Sequence, residues 1–140
     1  MPAITQLMSP NPVSVAPDDT LLVVKEIFDK VKFHHILVVE HNVLLGVISD
    51  RDLFKALSPN LGTAAETTKD LATLKKRVHQ VMHRKPVVLA ATAEVMDAVR
   101  VFNQDNVSCI PIVDQQLRPL GIVSWRDIMR ALGKKEPKPQ

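Results

Sequence analysis

Two short arrangements in this sequence carry residue types that can do chemistry. Ser49-x-x-Asp52 and Ser124-x-x-Asp127 each place a hydroxyl three residues before an acid. An ionised carboxylate only accepts hydrogen bonds, and it can take two neighbouring O–H groups at once. At the first turn of a helix the serine lies close to that acid, beside free backbone N–H groups and the positive end of the helix dipole. Arg51 and Arg126 stand next to the acids and can neutralise a phosphate. The same spacing also fits a capping box, in which serine and acid satisfy the helix terminus and bind nothing. The two roles are compatible.

Other arrangements are poorer. His79 and His83 are spaced for one helix face, yet no Glu follows in a His-Glu-x-x-His pattern and no third ligand is evident, so no metal site is expected. Cys109 follows Ser108 without a matched base and reads as a small apolar residue rather than a nucleophile. Lys75-Lys76-Arg77 reads as a solvated helix face. With no nucleophile–base pair and no metal cluster, an enzyme is not expected.

The elements that position the Ser-x-x-Asp pairs come as a duplication. Met8, Pro12, Val13, Phe28, Ile36 and Val39 recur 74 positions later as Met82, Pro86, Val87, Phe102, Ile110 and Val113. After a one-residue insertion in the 114–119 turn the offset is 75, and Gly46-Val47-Ile48-Ser49-Asp50-Arg51-Asp52 recurs as Gly121-Ile122-Val123-Ser124-Trp125-Arg126-Asp127. Fixed offsets of this kind mark an internal repeat. Each copy reads as β-α-β-β-α. Strands are expected at 13–15, 36–40 and 44–48, and at 87–89, 110–114 and 119–123. The first helix of copy one carries the stripe Leu21, Val24, Phe28 and Val31, with Asp18 or Asp19 as its cap. Its counterpart carries Val95, Ala98, Val99 and Phe102. Closing helices are expected at about 50–57 and 125–132. Gly46 and Gly121 permit a bulge or a close backbone approach.

The chain divides into a first repeat at 1–60, a connector at 61–80, a second repeat at 81–133 and a flexible tail at 134–140. A turn at Ser58-Pro59-Asn60-Leu61-Gly62 leads into the connector, which continues through polar and mobile residues 63–70 and ends in a short helix carrying Leu71, Leu74 and Val78. One copy alone is too small to bury its sheet and helices well. The expected class is therefore α/β (α+β), with the tandem repeats packed sheet to sheet under pseudo-two-fold symmetry.

The doubled pattern, Met-x-x-x-Pro at 8–12 and 82–86, and Gly-x-[Ile/Val]-Ser-x-x-Asp at 46–52 and 121–127 together resemble a CBS-domain pair, or Bateman module. The resemblance spans about residues 5–132. It implies two clefts between the repeats that hold adenosine compounds such as AMP, ADP, ATP, NAD or S-adenosylmethionine. It further implies a regulatory, energy-sensing role without catalysis, and dimers of pairs.

On that resemblance Asp52 and Asp127 take the ribose hydroxyls, assisted by Ser49 and Ser124. Arg51, Arg126, His34 and His35 reach phosphate. The adenine slot falls to Val13, Ser14, Val15, Ile36 and Leu37, and in copy two to Val87, Val88, Leu89, Ile110 and Pro111. The same apolar residues also read simply as core. Leu37 stands where the family often has proline, as Pro111 does. Ser108 and Cys109 replace the two histidines and Trp125 replaces Asp50, so the clefts are expected to differ, one suiting phosphates better.

Composition bounds the alternatives. Of the 140 residues, 46% are apolar and 24% charged, ordinary for a folded domain. No apolar run approaches a membrane span, the N-terminus has no signal-peptide pattern, and Cys109 is the single cysteine, so a cytoplasmic protein is expected. Net charge is +3 and aromatic content 4%. That argues against a single-strand stacking platform, and nucleic acid is not an expected partner. The expected function is a stand-alone module that binds an adenosine ligand, forms a homodimer and signals to an unidentified regulated protein. The alternatives are a ligand-free dimerisation module and a weak nucleic-acid-associated protein.

Overall fold

The computed structural model describes residues 3–135. Within them the class is α+β, with two four-stranded sheets and five α-helices. The expected flexible tail begins inside a helix that runs to Lys135, and the rest of it lies outside the described residues.

Two compact units form. One is Val13–Lys85, and the other joins the N-terminal residues up to Pro12 with those from Pro86 onward. In the first unit β2 (Ser14–Val15) runs parallel to β3 (His35–Glu40), which pairs antiparallel with β4 (Val43–Ser49). The last strand, β5 (His83–Arg84), comes from the lead segment of the second repeat and pairs with β4. The other unit mirrors this. There β6 (Leu89–Ala90) is parallel to β7 (Cys109–Val113), β7 is antiparallel to β8 (Pro119–Ser124), and β1 (Ser9–Pro10) from the chain start pairs with β8.

Each repeat thus gives its lead segment to the sheet of the other. Ile4 and Val78, 74 positions apart, are both fully buried, each in the unit of the other repeat. The β-α-β-β-α reading did not contain these two-residue strands, because they are too short to show alternation.

The helices follow their apolar stripes. On α1 (Leu21–Lys30) Leu21 and Val24 are buried and Phe28 packs against them. The helix ends before Val31, which is already extended and serves as its C-cap. Nor does Asp18 or Asp19 cap it: Thr20 holds that position, and the carboxylate of Asp19 accepts from the Ala16 N–H at 2.8 Å. The Leu21 N–H donates instead to the Lys76 carbonyl at 2.9 Å, so the connector satisfies the helix start. On α4 (Val95–Gln104) the expected stripe holds, with Val95 and Ala98 buried and Val99 and Phe102 packed beside them.

The connector is bonded rather than loose. Its α3 (Thr68–Ala72) is preceded by Thr67, whose N–H donates to the Asp70 carboxylate at 2.7 Å. Asp70 is buried and also accepts from the Ser58 hydroxyl at 2.6 Å, and these donors hold its carboxyl below the usual range. The expected helix through Val78 breaks into two 3-10 turns at Thr73–Lys75 and Val78–Gln80. Lys76 and Arg77 lie between those turns, not on a helix face. Their side chains donate to the carbonyls of Ala56 at 2.8 Å and Asp18 at 2.7 Å.

Candidate functional site

In the first unit β4 runs directly into α2 (Asp50–Ala56), with Ser49 as the N-cap. Ser49 Oγ accepts from the Asp52 N–H at 3.1 Å, and Asp52 Oδ2 accepts from the Ser49 N–H at 2.8 Å. This is the full capping box. It leaves Oδ1 of Asp52, which bonds Nε2 of His83 at 2.9 Å. The register puts His35 opposite Ser49, and Ser14 opposite Leu37. So Val13, Ser14, His34, His35, Ser49 and Asp52 gather where β2, the start of β3, the end of β4 and the start of α2 meet.

The polar residues here are partly spoken for. His34 Nδ1 lies 2.8 Å from Asp50 Oδ2, and the Asp50 N–H donates to the His34 carbonyl at 3.0 Å. Arg51 is exposed and makes no side-chain bond or ion pair among the described residues. Beside Asp52 an open pocket of about 460 Å³ is also lined by Lys55 and by Lys76, the latter expected from the sequence only on a solvated helix face. Burial pulls His35 below the ordinary histidine value of 6.5, against the opposing pull of Asp50. A histidine held neutral in the fold binds fewer protons than in the unfolded chain. Its contribution to stability is therefore lost as pH falls below about 6.5. In melting curves between pH 7 and 5, His35→Gln is expected to lose part of the acid-induced fall in wild type; parallel curves would refute this.

The second unit repeats the arrangement where β8 runs into α5 (Trp125–Lys135). Asp127 Oδ2 accepts from the Ser124 N–H at 2.7 Å and from Ser124 Oγ at 3.1 Å. Its other oxygen, Oδ1, has Arg130 at 3.8 Å, an ion pair beyond hydrogen-bond reach. Arg126 lies 5.8 Å from the centroid of the Trp125 ring, a cation–π contact. Asp52 and Asp127 are 14% and 12% exposed, so each keeps an edge to solvent.

Among the expected adenine residues, Val15, Ile36 and Ile110 belong to the apolar cores of their units. Leu37 is fully buried too, but on the opposite face of its strand from Ile36 and Val38. Ser14 and Val87 are exposed, while Val13 and Val88 are partly buried. The Leu37/Pro111 difference has a backbone consequence. The Leu37 N–H donates to the Val13 carbonyl at 3.0 Å. Pro111 has no N–H to offer Val87, and β6 accordingly starts at Leu89, one position later than β2 in the repeat.

The glycines mark a close approach, and what approaches is the exchanged strand. A Cβ on Gly46 would meet the His83 carbonyl oxygen at 2.5 Å, and one on Gly121 would meet the Ser9 oxygen at 2.9 Å. The sequence reading missed His83 as a partner of Asp52, because the contact depends on β5. His79 and His83 do not share a helix: His79 lies 3.8 Å from Asp18, and His83 is in a strand.

Cys109 is buried in β7, and desolvation pushes its thiol up to about 12. Against an ordinary 9.0, that lowers its thiolate fraction about 1000-fold at neutral pH. Iodoacetamide is expected to label Cys109 slowly in the native protein and quickly in denaturant; equal rates would contradict its burial.

The family model of the CBS domain matches residues 4–59 and 78–134, which together hold both Ser-x-x-Asp pairs. The chain belongs to the CBS domain family. A CBS domain-containing protein of Dictyostelium discoideum is 32% identical over 97% of this chain and 95% of its own. The L-aspartate semialdehyde sulfurtransferase of Methanocaldococcus jannaschii is 29% identical over 95% of this chain, but the chain spans only 24% of that protein. Two solved structures match almost end to end. The CBS domain pair of protein MJ0100, in complex with 5′-methylthioadenosine and S-adenosyl-L-methionine, has a TM-score of 0.80 at 25% identity, covering 97% of this chain and 99% of that one. CBSX2 of Arabidopsis thaliana, in complex with AMP, has 0.77 at 25% identity, covering 94% and 96%. Structures similar to this CBS pair thus include ones that hold adenosine compounds. No helix among the described residues is long and apolar enough to cross a membrane.

Proposed function

We infer that this CBS pair is a regulatory module that binds an adenosine-containing ligand through its Ser-x-x-Asp pairs. The observation that carries the reading is the end-to-end likeness to two CBS pairs whose structures hold AMP or S-adenosyl-L-methionine. The site chemistry supports it. Each capping box occupies Oδ2 and fixes the acid at a helix start, and on Asp127 the second oxygen accepts no hydrogen bond among the described residues, so it can accept one from a ribose hydroxyl. Arg51, Arg126, Lys55 and His35 are the groups proposed to face a phosphate.

Ligand binding is proposed to act on a partner protein by favouring one conformation, which requires the ligand to bind two states unequally. A homodimer is part of this reading. Trp125, Met129 and Leu132 follow a helical spacing on α5 and are 51%, 59% and 48% exposed, an apolar stripe that a second copy can cover. Sedimentation should show a dimer in wild type and a monomer in Met129→Lys; a monomeric wild type would refute this part.

Thermal unfolding against AMP, ADP, ATP, NAD and S-adenosylmethionine tests the function itself. A ligand at 100 times its Kd adds about 2.7 kcal/mol, a rise of several degrees for a chain this size. If no compound moves the transition, the module does not sense these ligands, and the Ser-x-x-Asp pairs are helix caps only.

A further inference from the structure

Asp52 and Asp127 are not equally available. Both commit Oδ2 to a capping box. On Asp52 the remaining Oδ1 accepts from Nε2 of His83 at 2.9 Å; an ionised carboxylate has no hydrogen to give, so the imidazole is the donor. On Asp127 the corresponding oxygen has, among the described residues, only the Arg130 guanidinium, at 3.8 Å. The origin of this difference lies in the exchanged strands. His83 sits opposite Val47 in β5, and its counterpart in β1 is Ser9, opposite Ile122. Serine carries no ring to span that distance, and no bond joins Ser9 to Asp127 among the described residues.

We propose that His83 is a latch on the first site, competing with ligand hydroxyls for Asp52 Oδ1, so that the Asp127 site fills first. This rests on the reading of both acids as ribose acceptors. The His83 ring is 73% exposed, so it can turn into solvent without giving up packing. What must be broken is one charge-assisted hydrogen bond, which separates the two sites by about tenfold or more in affinity. His83 acts as a positioning residue here, through Asp52.

Calorimetric titration with AMP, and separately with S-adenosylmethionine, tests the latch in wild type, His83→Ala and Ser9→His. Wild type should show a tight and a weak equivalent per chain. His83→Ala should tighten the weak one by about tenfold and leave the tight one unchanged. Ser9→His builds the same contact on Asp127 and should weaken the tight one. A purely structural histidine would move neither stoichiometry nor the ratio of the two affinities. If wild type binds but His83→Ala and Ser9→His superimpose on it, the latch is wrong and the ribose reading stands. If no form binds either compound, or Asp52→Ala and Asp127→Ala leave binding intact, the ribose reading falls and the latch falls with it.

Discussion

Gly46→Ala should lower the unfolding midpoint by roughly 3–10 °C, for a loss of about 1–3 kcal/mol. The added methyl lands 2.5 Å from the His83 carbonyl oxygen, a backbone atom that cannot rotate away. Met82 Sδ would lie 3.0 Å from it as well. Either β5 must leave β4 or the sheet must bend, and both cost packing around the buried Met82. Displacing β5 also carries His83 away from Asp52, so this variant should bind ligand at the first site more readily while being less stable. Gly121→Ala makes a useful comparison. Its nearest contact, at 2.4 Å, is the Met8 thioether, a flexible side chain, followed by the Ser9 oxygen at 2.9 Å. It should therefore be milder. Melting curves of both variants check this, and an unchanged midpoint for Gly46→Ala would refute the close-approach role.

The second large effect is on binding. On the proposed reading Asp127→Ala should weaken an adenosine ligand by about 100-fold or more, because it removes the oxygen, Oδ1, that would accept charge-assisted hydrogen bonds from the ribose. It also removes half of a capping box, worth about 1 kcal/mol of stability. The two effects separate with Ser124→Ala, which loses cap bonds but keeps the acid. If binding follows the cap, Ser124→Ala and Asp127→Ala weaken it alike. If it follows the carboxylate, Asp127→Ala is far worse. Asp52→Ala should be the gentler lesion, since Oδ1 of Asp52 is already held by His83.

Much of this was legible in the sequence, for physical reasons that differ by element. The 74-residue offset exposed the duplication because core positions such as Ile36 and Ile110 must keep their side-chain type on a buried strand. The offset reaches further than the motifs: Asn11 and Lys85, directly after β1 and β5, share a positive φ of 52° and 51°. Strand hairpins were readable as paired apolar runs, 36–40 with 44–48 and 110–114 with 119–123. So was the tight turn between β3 and β4, where His41 and Asn42 both take positive φ. The capping boxes were readable as well, since their spacing is local.

What was not readable is long-range. The approach of His83 to Asp52 spans 31 residues and needs a two-residue strand to pair in another repeat's sheet. The Lys76 and Arg77 contacts to carbonyls also lack any sequence signature, because any exposed cation can find a carbonyl. Gly46 and Gly121 hinted at a close neighbour without saying which. The polar run at 63–70 reads as solvated from composition alone, yet Asp70 collects hydroxyl and amide donors and is buried.

On the proposed reading a ribose diol meets the Asp127 carboxylate. Titrating wild type and Asp127→Ala with AMP, 2′-deoxy-AMP and 3′-deoxy-AMP tests it most directly. Wild type should bind each deoxy form about tenfold or more weakly than AMP, and the variant should bind all three alike and poorly. Equal affinity of wild type for AMP and both deoxy forms would contradict it, since no hydroxyl would then be held by the acid.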